Sequence, residues 1–229
     1  DRKPTPNYNN YSGKHTAMLA CAQMHRLPLE NYLDINHPIQ QDILATFAEM
    51  CQIPVAEVEL GTDGCSAPNF AVPLYNAALG MARLCDPREL TEARATACSK
   101  ITSAMAAFPE MVSGYGEFDE QLMKVGEGKF VTKRGAEGFQ IVGVMSGVIA
   151  PDAPGLGIAF KVSDGDASRM ADDLTTSNRV RPAVAIEILR QLGALSSQQE
   201  QALAGFGPVK SIKNHQNILT GQSHPVFKL

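Results

Sequence analysis

At about residue 129 the hydrophobic period of the chain changes, and that change limits the folds open to it more than any single motif does. Before it, apolar residues recur at three- and four-residue intervals. After it come KFVTKRG, FQIVGVM and GIAFKV, short β-rich runs parted by Gly, Pro and Asp. Strands so short and so closely spaced predict an antiparallel meander, and the helices must bury their apolar stripes against it. The fold class is therefore α/β (α+β): an antiparallel sheet with packed helices.

Three helices are marked in the first half. Lys14 to Gln23 carries Ala17, Met18, Cys21 and Ala22 at helical spacing behind Ser12 as N-cap. Residues 36–51 begin at Asn36-His37-Pro38 and align Ile39, Ile43, Phe47 and Met50. Asp86-Pro87-Arg88-Glu89 reads as the capped start of a helix bearing Leu90, Ala93, Ala97, Ile101 and Met105. Between the second and third, LGTDGCSAPNFAVP predicts a tight polar loop before helical character resumes at Tyr75 to Leu84. Beyond the meander, SRMADDLTTSNRVRPAVAIEILRQLG predicts a helix broken near Arg181-Pro182 and stopped by Gly193. A capped turn at Ser196 to Gln199 and a last strand or two after residue 205 follow. No repeat, low-complexity tract or linker divides the 229 residues, so one domain over 1–229 is expected.

With 20 Lys and Arg against 24 Asp and Glu the balance is mildly acidic, which excludes nucleic acid and membrane surfaces as expected partners. The absence of Trp and an aromatic content of 6% argue against a platform for stacking bases. No apolar run reaches the ~18–20 residues that span a bilayer, and DRKPTPNYNN lacks the apolar core of a signal peptide. A cytoplasmic protein is expected. Of five cysteines, Cys21, Cys51, Cys85 and Cys98 stand in apolar or helix-like surroundings and predict reduced core residues, while Cys65 stands in a loop.

Three stretches carry residues suited to chemistry. In Asn9-Asn10-Tyr11-Ser12-Gly13-Lys14-His15, a glycine that allows close backbone approach, a helix start and a cation suit a carboxylate or other anion; a capped helix with a solvated lysine is an equal alternative. In Gly61-Thr62-Asp63-Gly64-Cys65-Ser66-Ala67-Pro68, a turn presents a thiol between Asp and Ser, reactive and metal-binding when ionised; a small half-buried turn residue is the plainer reading. In Lys133-Arg134-Gly135-Ala136-Glu137-Gly138, a lysine beside other cations and out of water loses basicity and can accept a proton, against the alternative of a hairpin with surface charges. His25, His37, His215 and His224 lack metal-ligand spacing. Asp164-Gly165-Asp166 lacks the remainder of a calcium loop, and Gly155-Leu156-Gly157 lacks the later glycine of a dinucleotide fingerprint.

Taken in order, NNYSGKHTAML, LGTDGCSAPNFAVPLYNAA, MVSGYGEFDEQLM, TKRGAEG and GIAFKVSDGDASR resemble the bacterial asparaginase II family, typified by the inducible rhizobial L-asparaginase. The resemblance implies a fold like that of serine β-lactamases and penicillin-binding proteins, and hydrolysis of L-asparagine, a small-molecule substrate, to aspartate and ammonia in a homodimer. It also implies zinc. Carried over by position, Lys14 and Cys65 would be metal ligands, Ser12, His15, Asp63 and Gly135 would bind substrate, and Lys133 would be catalytic, activating a serine or stabilising charge. Two departures stand out. Tyr11 replaces a cysteine of the family's NNCSGKH segment, exchanging a soft thiolate for a phenol and weakening zinc. The Ser-x-x-Lys motif with the family's nucleophile does not occur in its expected context. The expectation is that this chain corresponds to the C-terminal two thirds of the family's fold and lacks the part that carries the nucleophile, so that alone it is not a competent asparaginase. The alternatives are an inactive homologue that binds an amino acid or a protein partner, penicillin-recognising chemistry, and glutamine as substrate.

Overall fold

The structure is a computed structural model and describes residues 9–163 and 180–229. The Asp164-Gly165-Asp166 turn and the first part of the helix expected from Ser168 lie outside the described residues. The chain forms two compact units, residues 1–76 and 77–229.

In the first unit, α1 (Ser12–Met24) and α2 (Pro38–Cys51) precede a hairpin of β1 (Glu59–Thr62) and β2 (Pro68–Ala71). Ser12 is the first helical residue and not the cap: Tyr11 holds the N-cap position without a side-chain bond, and Asn9 turns the chain by accepting the Tyr11 N–H at 2.9 Å. The α1 face that is buried is Met18 and Ala22, and Cys21 is exposed, against the expectation of a core cysteine. At α2, His37 Nδ1 accepts the Ile39 N–H at 3.2 Å. The ring must therefore carry its proton on Nε2, which donates to the Pro28 carbonyl at 3.0 Å. The buried face is Ile39, Gln40, Leu44, Ala48 and Cys51: Ile39 of the expected stripe is buried and Phe47 packs beside the core, but Leu44 and Ala48 are what meet Val58. The hairpin itself was expected to be loop. Pro68 is accommodated as the first residue of β2, where no ladder donor is needed of it.

In the second unit, α3 (Leu74–Cys85, crossing the boundary), α4 (Glu92–Ala107), α5 (Pro109–Ser113) and α6 (Phe118–Gly126) lead to the meander β3 (Phe130–Arg134), β4 (Phe139–Val144), β5 (Leu156–Lys161). Then follow α7 (Arg181–Gln191), α8 (Ser197–Ala202) and a hairpin of β6 (Lys210–Lys213) and β7 (Leu219–Ser223). The meander is antiparallel throughout, with Thr132 opposite Val142 and Gly143 opposite Gly157. Period-two alternation gives its faces different partners. Phe130, Val142 and Val144 meet Phe118 and Leu122 of α6, Ile186 and Leu189 of α7, and Leu203. Val131 and Ile141 meet Met81, Cys85 and Met105. Each fully buried large side chain in these layers contributes ~1.5–3 kcal/mol. The expected capped turn is α8, whose Ser196 and Gln199 form a reciprocal capping box.

The expected start at Asp86 is corrected. Helix α4 begins five residues beyond Pro87, capped by Thr91, while the Asp86 carboxylate instead accepts the Gly155 N–H at 3.0 Å and Arg88 Nε at 2.7 Å. Its buried residues are Cys98 and Thr102, and Ile101 is exposed. Among the described residues no helix is long and apolar enough to cross a membrane.

Candidate functional site

In the first unit the start of α1 and the β1–β2 turn meet. The turn is closed locally: Asp63 N–H donates to the Ala67 carbonyl at 2.9 Å, Ser66 N–H to the Asp63 carbonyl at 2.8 Å, and Gly64 N–H to Asp63 Oδ1 at 2.7 Å. The other oxygen, Asp63 Oδ2, accepts Lys14 Nζ at 2.6 Å and faces Cys65 Sγ at 3.6 Å. The Lys14 ammonium also lies 5.2 Å from the centroid of the Tyr11 ring. Partial burial works against its charge, but the bonds to Asp63 and Cys65 outweigh that and raise its pKa. Asp63 is held below the usual carboxylate range, first by the Lys14 bond.

Lys14, Asp63 and Cys65 are thus brought together, with Tyr11 alongside. His15 turns elsewhere, its Nδ1 2.6 Å from the Tyr32 hydroxyl. Ser12 is half-buried in the first turn of α1, and a Cβ on Gly13 would meet nothing within 4 Å, so close approach does not explain that glycine. The charge expected to attract an anion already has one in Asp63.

These donors do not suit zinc as arranged. A metal ligand must offer a lone pair, and the Lys14 nitrogen is held as an ammonium by a carboxylate. Cys65 is then the single thiol, because a phenol stands at residue 11. Among the described residues no three of His, Cys, Asp or Glu are grouped to hold a metal ion.

In the second unit, Lys133 and Gly135 stand at the end of β3. Gly135 N–H donates to the Phe139 carbonyl at 2.9 Å, closing the turn. The turn needs its second glycine: Gly138 has φ +69°, and a Cβ there would lie 2.2 Å from the Val162 carbonyl oxygen. Lys133 Nζ donates to the Arg134 carbonyl at 2.8 Å. Although Lys133 keeps water-accessible surface, the protein around its ammonium lowers its pKa by desolvation. Asp119 opposes this, and Arg134 and Arg181 add to it.

Sequence reasoning missed Asp119. Its segment, GEFDEQLM, was matched without a role, and Thr132 and Gln140 were read only as members of strands. The available signal was polar residues inside runs that are otherwise apolar, which require buried partners.

Compared with curated proteins, the chain has no match. A protein-family model described as L-asparaginase II matches residues 1–225 of the 229.

Proposed function

The chain belongs to the L-asparaginase II family, and from that premise we propose that it is an amidohydrolase that converts L-asparagine and water to L-aspartate and ammonia. Family membership implies a hydrolase acting on a small molecule. The finer assignment rests on Lys133, a lysine of lowered pKa at a strand end closed by a glycine turn. A neutral Lys133 amine accepts the proton of a serine hydroxyl as its oxygen adds to the side-chain amide carbon. Return of a proton to nitrogen expels ammonia and leaves an acyl ester, and water then frees the carboxylate. In this scheme Gly135, beside Lys133 at the end of β3, serves a polar end of the substrate, and no step runs through zinc. To the same reading belong a serine β-lactamase-like fold in a single domain, a homodimer and a cytoplasmic location.

The test is asparagine-dependent ammonia release by the protein purified from its natural source, beside Lys133→Met. Release that falls at least ~100-fold in the variant supports the reading. Unchanged release in the variant removes Lys133 from the mechanism. Saturable binding of asparagine or aspartate in calorimetry, with no ammonia from the unsubstituted protein, identifies an inactive homologue that binds amino acids.

A further inference from the structure

Asp119 is 1% exposed, yet its hydrogen bonds go to the sheet and not to its own helix. One oxygen accepts the Arg134 backbone N–H at 2.8 Å, and the other accepts the Gln140 amide at 2.7 Å and lies 3.3 Å from Thr132 Oγ1. Gln140 also donates to Thr132 Oγ1 at 2.6 Å, and Thr132 in turn donates to the Ile141 carbonyl at 2.9 Å. Burying a carboxylate is unfavourable unless its oxygens are satisfied, and here one donor from β3, the Arg134 N–H, and one from β4, the Gln140 amide, satisfy one oxygen each. The result is a fixed peptide directly after Lys133. The Arg134 backbone is held at its N–H by Asp119 and at its carbonyl by the Lys133 ammonium.

The charged groups around Lys133 come from each packed element. Asp119 belongs to α6, Arg134 to the same strand, and Arg181 to α7. Glu117, just ahead of α6, is engaged by the Arg134 guanidinium.

We propose that Asp119 is a positioning residue for Lys133: it fixes the strand end that carries the lysine and sets a negative charge among the guanidiniums of Arg134 and Arg181 around the ammonium. The proposal rests on the reading of Lys133 as the proton acceptor. Removing the Asp119 charge makes Lys133 neutral at lower pH, and removing the Arg134 charge makes it neutral at higher pH.

The test uses the full chain with Asp119→Asn, Asp119→Glu and Arg134→Gln. Acetylation of Lys133 by trace acetic anhydride is followed against pH by peptide mass spectrometry, because only the neutral amine reacts. The pH profile of kcat/KM for asparagine is recorded beside it. The expected result is a Lys133 midpoint that moves down in Asp119→Asn, stays near the unsubstituted value in Asp119→Glu and moves up in Arg134→Gln, with the acid limb of kcat/KM following. A folded Asp119→Asn with an unmoved midpoint overturns the proposal, as does an Asp119→Glu that moves as far as the Asn variant. Where Asp119→Asn does not fold, Arg134→Gln decides: a midpoint that moves up supports the charge balance, and one that stays or moves down overturns it. Labelling reads the amine without turnover, so the coupling is measured even where the chain is inert toward asparagine, and failure of the proposed function stays distinct from failure of this proposal.

Discussion

Replacing Gly157 by alanine should separate a helix from the sheet that carries Lys133. Gly157 of β5 lies opposite Gly143 of β4, and this glycine pair faces α3. A Cβ built on Gly157 would stand 1.7 Å from the Ala78 carbonyl oxygen and 2.8 Å from the Ala82 nitrogen. Ordinary contact begins at 3.4 Å, so helix and strand must part by about 1.7 Å. The obstacle is helix backbone, which no rotamer change can remove. A radial gap of 0.5–1 Å already forfeits roughly a quarter to a half of a dispersion contact. The packing of Met81 and Cys85 on Val131 therefore weakens along with the local contact. Overpacking typically costs ~1–3 kcal/mol, and a backbone clash of this depth belongs at or above the top of that range. At roughly 2–4 °C per kcal/mol for a chain of this size, Tm should fall by ~6–12 °C. Thermal and urea unfolding followed by circular dichroism measure it. Gly143→Ala is the comparison: its Cβ would meet the flexible Met81 and Cys85 side chains at 2.8 and 2.3 Å, so its loss should be smaller. A Gly157→Ala protein within ~1 kcal/mol of the unsubstituted one would show that α3 does not rest on this glycine.

The remaining expectations concern local structure and titration. Gly13→Ala, inside α1 with open space around it, should stabilise by ~0.5–1 kcal/mol in urea unfolding; destabilisation would contradict a helical residue 13. Asp63, Asp86, Glu120 and Glu187 all have folded pKa values below their ordinary 3.8 or 4.5, so their stabilisation is complete above those values and is lost as pH falls through the lower folded ones. At the other end, burial pushes the Cys85 thiol from 9.0 to about 12, so its contribution is complete below 9.0 and is lost as pH rises toward 12. These five groups make stability fall at both ends of the pH range, while Lys133, with its lowered folded pKa, works the other way and adds stability as pH rises from its folded value toward 10.5. A thiol reagent should modify Cys21 first and reach Cys51, Cys85 and Cys98 only on unfolding; early labelling of Cys85 would contradict its burial. Dialysed with zinc, the unsubstituted protein should retain no stoichiometric metal, whereas Tyr11→Cys, which puts a second thiol at the turn, should bind more strongly; stoichiometric zinc in the former would refute the account of Lys14 as a held ammonium.

Elements whose signals are local were legible in the sequence. The three strands of the meander, the Ser196 capping box and the Gly193 stop depend on period, caps and turns within a few residues, and they stand where those signals put them. Signals that compete were not. Asp86 has the composition of an N-cap, but Gly155, far along the chain, claims its carboxylate, and the helix begins at Thr91 instead. Which residues of α4 are buried was misread by a step, and at α2 Ile39 was placed while Leu44 and Ala48 were not, because periodicity fixes that a stripe exists while the packed neighbour fixes which stripe it is.

By itself, then, the sequence determined the helices α1 to α3, the antiparallel meander and the family, since each is written in short patterns that hold wherever the segment sits; it did not show the β1–β2 hairpin, α5 or α6. Tertiary structure alone decided the rest. It paired Lys14 with Asp63 across 49 residues of chain, so that a lysine suited to an anion or a metal is already neutralised. It gave the Gly143–Gly157 pair the task of admitting a helix, where sequence offered Gly157 only as half of a failed nucleotide motif. And it buried Asp119 beneath the strand of Lys133, because a carboxylate's environment is set by what folds around it and not by its neighbours in the chain.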